Sequence, residues 1–389
     1  MTSAARVAAA IAILDQILGG RPAEPALTGW ARASRFAGSG DRAAVRDLVF
    51  EALRCRDSFA ALGGSLDGRG LMIGRIRADG GDPEALFTGE GHAPPPLSET
   101  EKAVGAAPED LLDLPDLPGW IWPDWQVSLG GQALEIAQAM RRRAPVWLRV
   151  NRRSTTPDAA QASLAGEGIE TSAHEALPSA LRVLSGERRL AGSAAYRGGW
   201  VELQDLSPQL ACAALPLFPG GRVLDYCAGG GGKSLALAAR EDLRLTAHDA
   251  APERMSDLPE RARRAGVRIA LSPPAKPGKS HDLVLSDVPC SGSGTWRRTP
   301  DAKWRLDRRG LDGLIWVQAR ILDETAPLVA AGGRLAYMTC SLLDAENGDQ
   351  IDAFLKRSRG YSEEMRRTWT PLSGSDGFFL SILRRAEAC

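Results

Sequence analysis

After Gly220-Gly221 the sequence settles into a regular alternation. Short apolar runs, RVLDY (222–226), RLTAHD (244–249), RIAL (268–271), HDLVLSD (281–287) and RLAYMTC (334–340), are separated by helical stretches such as Lys233 to Arg240 and Leu311 to Val329. Strand and helix in turn predict a parallel sheet with helices on both faces, an α/β fold of Rossmann type. In such sheets ligands bind beyond the carboxyl ends of the strands. The strand ends here carry Asp225, Asp249, Asp287 with Cys290, and Cys340.

The chain before this region reads differently. Val7, Ile11, Leu14, Ile17 and Leu18 recur at helical spacing up to Gly19-Gly20, and Asp41 is expected to cap a second helix with an apolar face of Val45, Leu48, Val49 and Leu53. From Thr88 to Gly119 the text is rich in Gly, Pro and acidic residues, which predicts loops and a boundary. The Trp-rich GWIWPDW leads to a helix around Gln132 to Arg143, then a strand over Val146 to Asn151 and a helix over Pro157 to Gly166, a small α+β unit. The expected organisation is a helical domain over 1–118, linker helices and the α+β unit over 119–205, and the main α/β domain over 206–389.

Composition bounds the function. The 389 residues are 44% hydrophobic and 25% charged, an ordinary globular balance. The net charge of zero argues against coating nucleic acid by bulk charge but leaves local basic patches open. Six scattered cysteines without a CxxC pair suggest neither a disulfide framework nor a metal site, so a reducing cytoplasm is the expected location. The apolar run ARVAAAIAIL is short, is followed by Asp15 and continues as an amphipathic helix, which argues against an export leader. No segment approaches the ~20 apolar residues of a membrane span.

DYCAGGGGKS (Asp225 to Ser234) is a glycine-rich turn from strand into helix, where a ligand can approach bare backbone N–H groups. It is not a phosphate loop, because Cys227 stands where G-x-x-x-x-G-K-S needs glycine, and it fails the dinucleotide spacing G-x-G-x-x-G. Asp249, at the next strand end, reads equally well as the carboxylate for a ribose diol or as a helix cap before APER. A buried cysteine is most often an inert small hydrophobe. Cys290 in SDVPCSGSG and Cys340 in YMTCS, however, both sit at strand ends among small polar residues. A thiol of pKa about 8.5 needs a cationic or dipolar neighbour to become a nucleophile at neutral pH, and Lys233 is a candidate. A basic stretch interleaved with tryptophan follows Cys290: Arg297, Arg298, Lys303, Trp304 and Arg305 suit phosphate contacts beside a stacking surface. A second basic group, Arg141 to Arg143 with Arg149, Arg152 and Arg153, is as readily a solvated face.

A thiolate beside a nucleoside pocket and an Asp suits methylation of cytosine C5. That carbon becomes nucleophilic only after a thiolate adds at C6, and the cycle then needs a base for the C5 proton and a carboxylate near N3/N4. The segments VLDYCAGGGGK, SDVPCSGSGTWRRTPDAKWR, GGRLAYMTCSLLDAENGDQI and DGFFLSILRR, together with WLRVN and VELQD, resemble the Sun-type RNA cytosine-5 methyltransferases, the family of the RsmB-like rRNA enzymes. The likeness spans most of Val146 to Arg385 in order and spacing. It implies a Rossmann-type class I methyltransferase domain with S-adenosylmethionine as cofactor. Cys340 is then the nucleophile, Cys290 assists product release, and Asp287 orients the cytosine near the methionine part of the cofactor. Cys227, Ala228, Gly229, Gly230, Gly231, Gly232, Lys233 and Asp249 hold the rest of that cofactor.

The N-terminal helices with DRAAVRDLVFEALR resemble a NusB-like RNA-binding domain, which turns the expected substrate toward small-subunit (16S) rRNA. A tRNA methyltransferase on the same scaffold, or a non-catalytic ribosome-assembly factor, are the alternatives. The expected partner is RNA, with no membrane, and the expected state a monomer. The sequence departs from the family pattern twice. Gly229-Gly230 stand where the family carries Ala-Pro, which predicts a looser loop, and ALSPPAKPG supplies no acid after the third strand.

Overall fold

The computed structural model describes residues 1–105, 111, 113–272, 278 and 280–387, so the proline-rich stretch read after the third strand lies mostly outside the described residues. Two compact units are present: Met1–Arg143 with Trp296–Asp307, and Ala144–Thr295 with Arg308–Cys389. This division differs from the boundaries expected at 118 and 205. The linker helices belong with the helical unit, and so does a twelve-residue segment taken from the middle of the α/β region.

The first unit is helical, with helices Ser3–Leu18, Ala23–Ala33, Ser39–Arg54, Arg56–Gly63, Gly68–Ala78, Trp122–Leu129, Ala133–Ala139 and Pro300–Arg305. Ile13, Leu14, Val45, Val49, Leu53, Leu71 and Ile73 form its core. Asp41 is not the cap expected of it. The helix begins at Ser39 with Gly38 as N-cap, and Asp41, in the first turn, accepts from Arg6 Nε at 2.9 Å. The helix Gly68–Ala78, for which sequence reading held no expectation, carries three glycines inside its span, residues of poor helix propensity. Its glycines serve close packing: a Cβ on Gly74 would fall 1.8 Å from the Phe59 carbonyl oxygen.

The second unit holds two sheets. The smaller comprises β1 (Trp147–Val150), β2 (Glu170–His174), β3 (Leu177–Ser185) and β4 (Val201–Leu203), in the order β2-β3-β1-β4, with the helix Pro157–Gly166 where the sequence places it. The larger comprises β5 (Arg222–Asp225), β6 (Arg244–Ala247), β7 (Ala270–Leu271), β8 (His281–Asp287), β9 (Val329–Thr339), β10 (Tyr361–Trp369) and β11 (Phe378–Arg385). Its order is β10-β11-β9-β8-β5-β6-β7. Strands β5 to β9 pair parallel as expected, but β11 pairs antiparallel with both β9 and β10, so the sheet is mixed rather than wholly parallel. The apolar run in β8 is buried on both sides, as a central parallel strand requires. Strand β10, at the edge, is charged and exposed, which protects an open edge from pairing with other chains. Among the described residues no helix is long and apolar enough to cross a membrane.

Candidate active site

Parallel pairing sets the strand ends side by side. Asp225 registers with Leu285 of β8 and Ala247 of β6, and Asp287 with Met338 of β9. The glycine turn follows β5 directly. Gly231 takes φ 75° as N-cap of the helix Gly232–Arg240, where a side chain would be strained and its Cβ would strike Leu258 at 2.2 Å. The looseness expected of Gly229-Gly230 is taken up by neighbours. Gly229 N–H donates to Asp249 Oδ2 at 2.8 Å, Arg261 Nη1 donates to the Gly230 carbonyl, and Gln204 Nε2 donates to the Gly232 carbonyl at 3.3 Å. Arg261 is itself held by the buried Glu202 of β4, at 3.0 Å. The small sheet therefore braces the glycine turn through Glu202, Arg261 and Gln204, a role that sequence reading missed because VELQD was read only as a matching segment and Arg261 lies outside every motif.

Asp249 is buried and spends one oxygen on Gly229 N–H and the other on Ala251 N–H at 2.9 Å, with Arg254 Nη1 at 3.3 Å. Of the two readings of this residue, the cap before APER is what its contacts show, and a carboxylate with about four acceptor positions has room for a diol besides. Asp225, fully buried, accepts from Ser234 Oγ at 2.7 Å through Oδ2, while its Oδ1 has no hydrogen-bond partner among the described residues. Burial pushes the Asp225 carboxyl up to about 6. An orphaned acceptor at the start of a glycine turn, with a ribose-type acid at the next strand end, fits a ligand that brings an ammonium donor and a sugar diol. S-adenosylmethionine has both.

The two cysteines expected to act together do meet. Cys290 follows β8, Cys340 follows β9, and their Sγ atoms lie 3.4 Å apart as free thiols. Their surroundings differ. A hydrogen bond from Cys290 lowers the Cys340 thiol; burial and the Asp287 charge oppose this, and Lys233 and the Thr295 hydroxyl assist it, leaving a net decrease. Cys290 is held well above the ordinary thiol range by its bond to Cys340, by burial, and by the charges of Cys340 and Glu346. The pair is therefore asymmetric, with Cys340 the more acidic thiol and Cys290 the one that keeps its proton longer. Lys233 Nζ binds Asp287 Oδ2. Burial disfavours the ammonium, but the Asp287 carboxylate and its hydrogen bond outweigh it, so Lys233 stays charged. Cys227, by contrast, is raised by burial and by Asp225, Asp287 and Asp249, so it is a protonated lining residue.

The basic stretch needs correcting. Lys303 is buried at 2% exposure, with Nζ donating to the Arg54 and Asp116 carbonyls at 2.9 and 2.6 Å, and burial lowers it to about 8. Arg297 is 4% exposed, and its carbonyl accepts from Arg54 Nε at 2.7 Å. Trp304 donates from Nε1 to the Leu53 carbonyl at 2.7 Å, and the Arg56 guanidinium covers its ring at 3.4 Å. These three hold the helical unit together and are withdrawn from phosphate contact and stacking. Arg298 and Arg305 are exposed, Arg305 pairing with Asp301 at 3.1 Å.

A Rossmann-type sheet with a glycine turn after β5 and a buried acid, Asp249, at the end of β6 is an architecture shared by S-adenosylmethionine-dependent methyltransferases. The model of the 16S rRNA methyltransferase RsmB/F family matches residues 212–378, and that of the RsmF/B-like ferredoxin-like domain matches residues 117–187. The chain belongs to the RsmB/F family. It is 34% identical over 284 residues to the ribosomal RNA small subunit methyltransferase B of Salmonella arizonae, and 35% identical over 284 residues to that of Citrobacter koseri. Each alignment covers 68% of this chain and 66% of the relative, so the match spans just under two thirds of the relatives' own length. Among solved structures, the protein PH0851 superposes with TM-score 0.75 at 21% identity, covering 99% of this chain and all of the other. NSun6 from Pyrococcus horikoshii, solved with SFG, gives 0.61 at 16% identity over 70% of this chain and 99% of its own. These likenesses show a shared fold.

Proposed function

We propose that this chain is an S-adenosylmethionine-dependent RNA cytosine-5 methyltransferase acting on small-subunit ribosomal RNA. The observation that carries the reading is the 3.4 Å pair of thiols at the ends of β8 and β9, in which the Cys340 thiol is lowered and the Cys290 thiol raised, and this favours Cys340 as the nucleophile. The named relatives and the family description support the substrate class.

Asp225, the glycine turn and Asp249 would hold the cofactor, which supplies an electrophilic methyl group when bound. Cys340 adds to C6 of the cytosine, and the electron pair of the C5–C6 bond is released toward C5, which becomes the nucleophile. Asp287, fixed by Lys233, orients the ring at its N3/N4 edge. Once C5 carries a methyl group, its proton leaves to a base, the C5–C6 double bond reforms and the Cys340 sulfur departs as thiolate. Cys290, the proton-bearing partner of Cys340, stabilises that departing thiolate by hydrogen bonding. Arg298 and Arg305 are the solvent-exposed arginines of the basic stretch and on this reading face RNA phosphate. The protein acts as a monomer in the cytoplasm on this reading.

The test supplies purified full-length chain and S-adenosylmethionine to unmethylated 16S rRNA and, separately, to tRNA, and reads 5-methylcytosine by bisulfite sequencing. One protected cytosine in 16S rRNA is expected. Protection in tRNA alone would move the substrate, and none in either RNA would overturn the activity.

A further inference from the structure

The segment that follows Cys340 contains Glu346, a carboxylate with 0% exposure that the proposed reaction does not use. Its Oε1 accepts from Ser291 N–H at 2.8 Å and from Gln318 Nε2 at 2.9 Å. Its Oε2 accepts from Ser341 Oγ at 2.5 Å and from Ser291 Oγ. All four donors are neutral. Ser291 directly follows Cys290 and Ser341 directly follows Cys340, so one carboxylate grips the two cysteine loops at the same position of each. Gln318 extends the grip, because the same amide nitrogen donates to the Pro289 carbonyl at 2.9 Å, immediately before Cys290. The backbone of Glu346 is fixed in turn by Tyr337 Oη on its carbonyl at 2.7 Å, and Asn347 Nδ2 holds the Ser341 carbonyl at 2.9 Å.

We propose that Glu346 is a positioning residue that clamps the two cysteine loops together and keeps the Cys290 thiol within bonding distance of Cys340 Sγ. Three of the four hydrogen bonds to this buried carboxylate come from the two loops, and the fourth comes from Gln318, whose amide also holds the loop before Cys290. Its charge also acts on the nearer thiol: Glu346 opposes ionisation of Cys290, whereas Lys233 favours that of Cys340. The clamp thus fixes the distance between the thiols and sets the Glu346 charge against ionisation of Cys290. Asp287, Lys233 and Glu346 are the charged groups acting on the pair.

The inference rests on the proposed roles of the two cysteines, but its test reads the thiols and needs no RNA. Full-length wild type, Glu346→Gln and Ser291→Ala are alkylated with iodoacetamide across pH, and Cys340 and Cys290 are followed separately by peptide mass spectrometry. Wild type is expected to modify Cys340 first. Glu346→Gln preserves size but removes the charge and replaces one acceptor oxygen with an NH2 donor, which cannot accept from the groups that Glu346 holds. It is expected to slow Cys340 alkylation about tenfold at pH 7, the effect of about one unit in thiol pKa, and to bring the rate at Cys290 up toward it. Ser291→Ala, which removes one donor, is expected to give the same change at smaller size, and it decides the matter if the Gln variant does not fold. A variant that lowers the urea midpoint but leaves both the alkylation profile and the Cys340 preference as in wild type would reduce Glu346 to a packing residue. Methyl transfer is measured in parallel: kcat should fall in Glu346→Gln with KM for RNA unchanged. If wild type transfers no methyl group yet the alkylation difference stands, the proposed activity fails and the clamp does not.

Discussion

Lys303 Nζ donates at 2.6 Å to the carbonyl of Asp116, inside the helical unit and away from solvent. Its neighbours in sequence, Arg298 and Arg305, remain exposed, so a stretch that looks uniform in sequence divides into structural and solvent-facing cations.

That division is testable by salt dependence. Arg298→Ala with Arg305→Ala should weaken RNA binding and lower the slope of log affinity against log salt by about 0.7–0.9 per lost phosphate contact. Lys303→Met should instead cost about 1–3 kcal/mol in urea unfolding, because two buried carbonyls lose their donor, with little change in slope. The opposite pattern would return Lys303 to the RNA face.

Much of the fold was legible from the sequence, and the failures share a physical cause. Strands β5, β6 and β8 and the helix Pro157–Gly166 stand out because apolar period and turn residues agree there. The helix Gly68–Ala78 was hidden because its glycines serve close approach rather than propensity. Strand β10 was hidden because an exposed edge carries charge instead of an apolar alternation. At the strand ends, the meeting of Cys290 and Cys340 and the placing of Asp249 were legible because the apolar runs mark where each strand stops. Glu346, Glu202 and Arg261 were not, since each acts through contacts that only the folded chain brings together. The error on Lys303 and Arg297 came from reading charge as exposure, when both are buried and bonded within the helical unit.

Asp249 is expected to carry cofactor binding. Asp249→Ala removes a carboxylate together with its two backbone partners, and calorimetric titration with S-adenosylhomocysteine should show affinity reduced roughly 10- to 100-fold, the range for losing hydrogen bonds to a charged group. Unchanged affinity would leave Asp249 as the cap of its turn alone.

Asp225 predicts a pH signature in the ligand-free protein. Burial raises its carboxyl from 3.8 to about 6, so the folded state binds the proton more tightly than the unfolded one. Its contribution to stability is therefore fully present below pH 3.8 and is lost as pH rises through about 6. Asp225→Asn cannot ionise, so its stability relative to wild type should improve between about pH 4 and pH 7 in urea titrations. A stability difference that stays flat over that interval would place the Asp225 carboxyl in its ordinary range.

The assignment of the nucleophile is tested most directly by trapping the protein–RNA adduct. Wild type, Cys290→Ala and Cys340→Ala are each incubated with unmethylated 16S rRNA and S-adenosylmethionine and run on a denaturing gel. With Cys340 as the attacking thiolate and Cys290 serving release, Cys290→Ala should accumulate a shifted covalent band that requires the cofactor, and Cys340→Ala should form none. A shifted band in Cys340→Ala and its absence in Cys290→Ala would exchange the two roles and contradict the account.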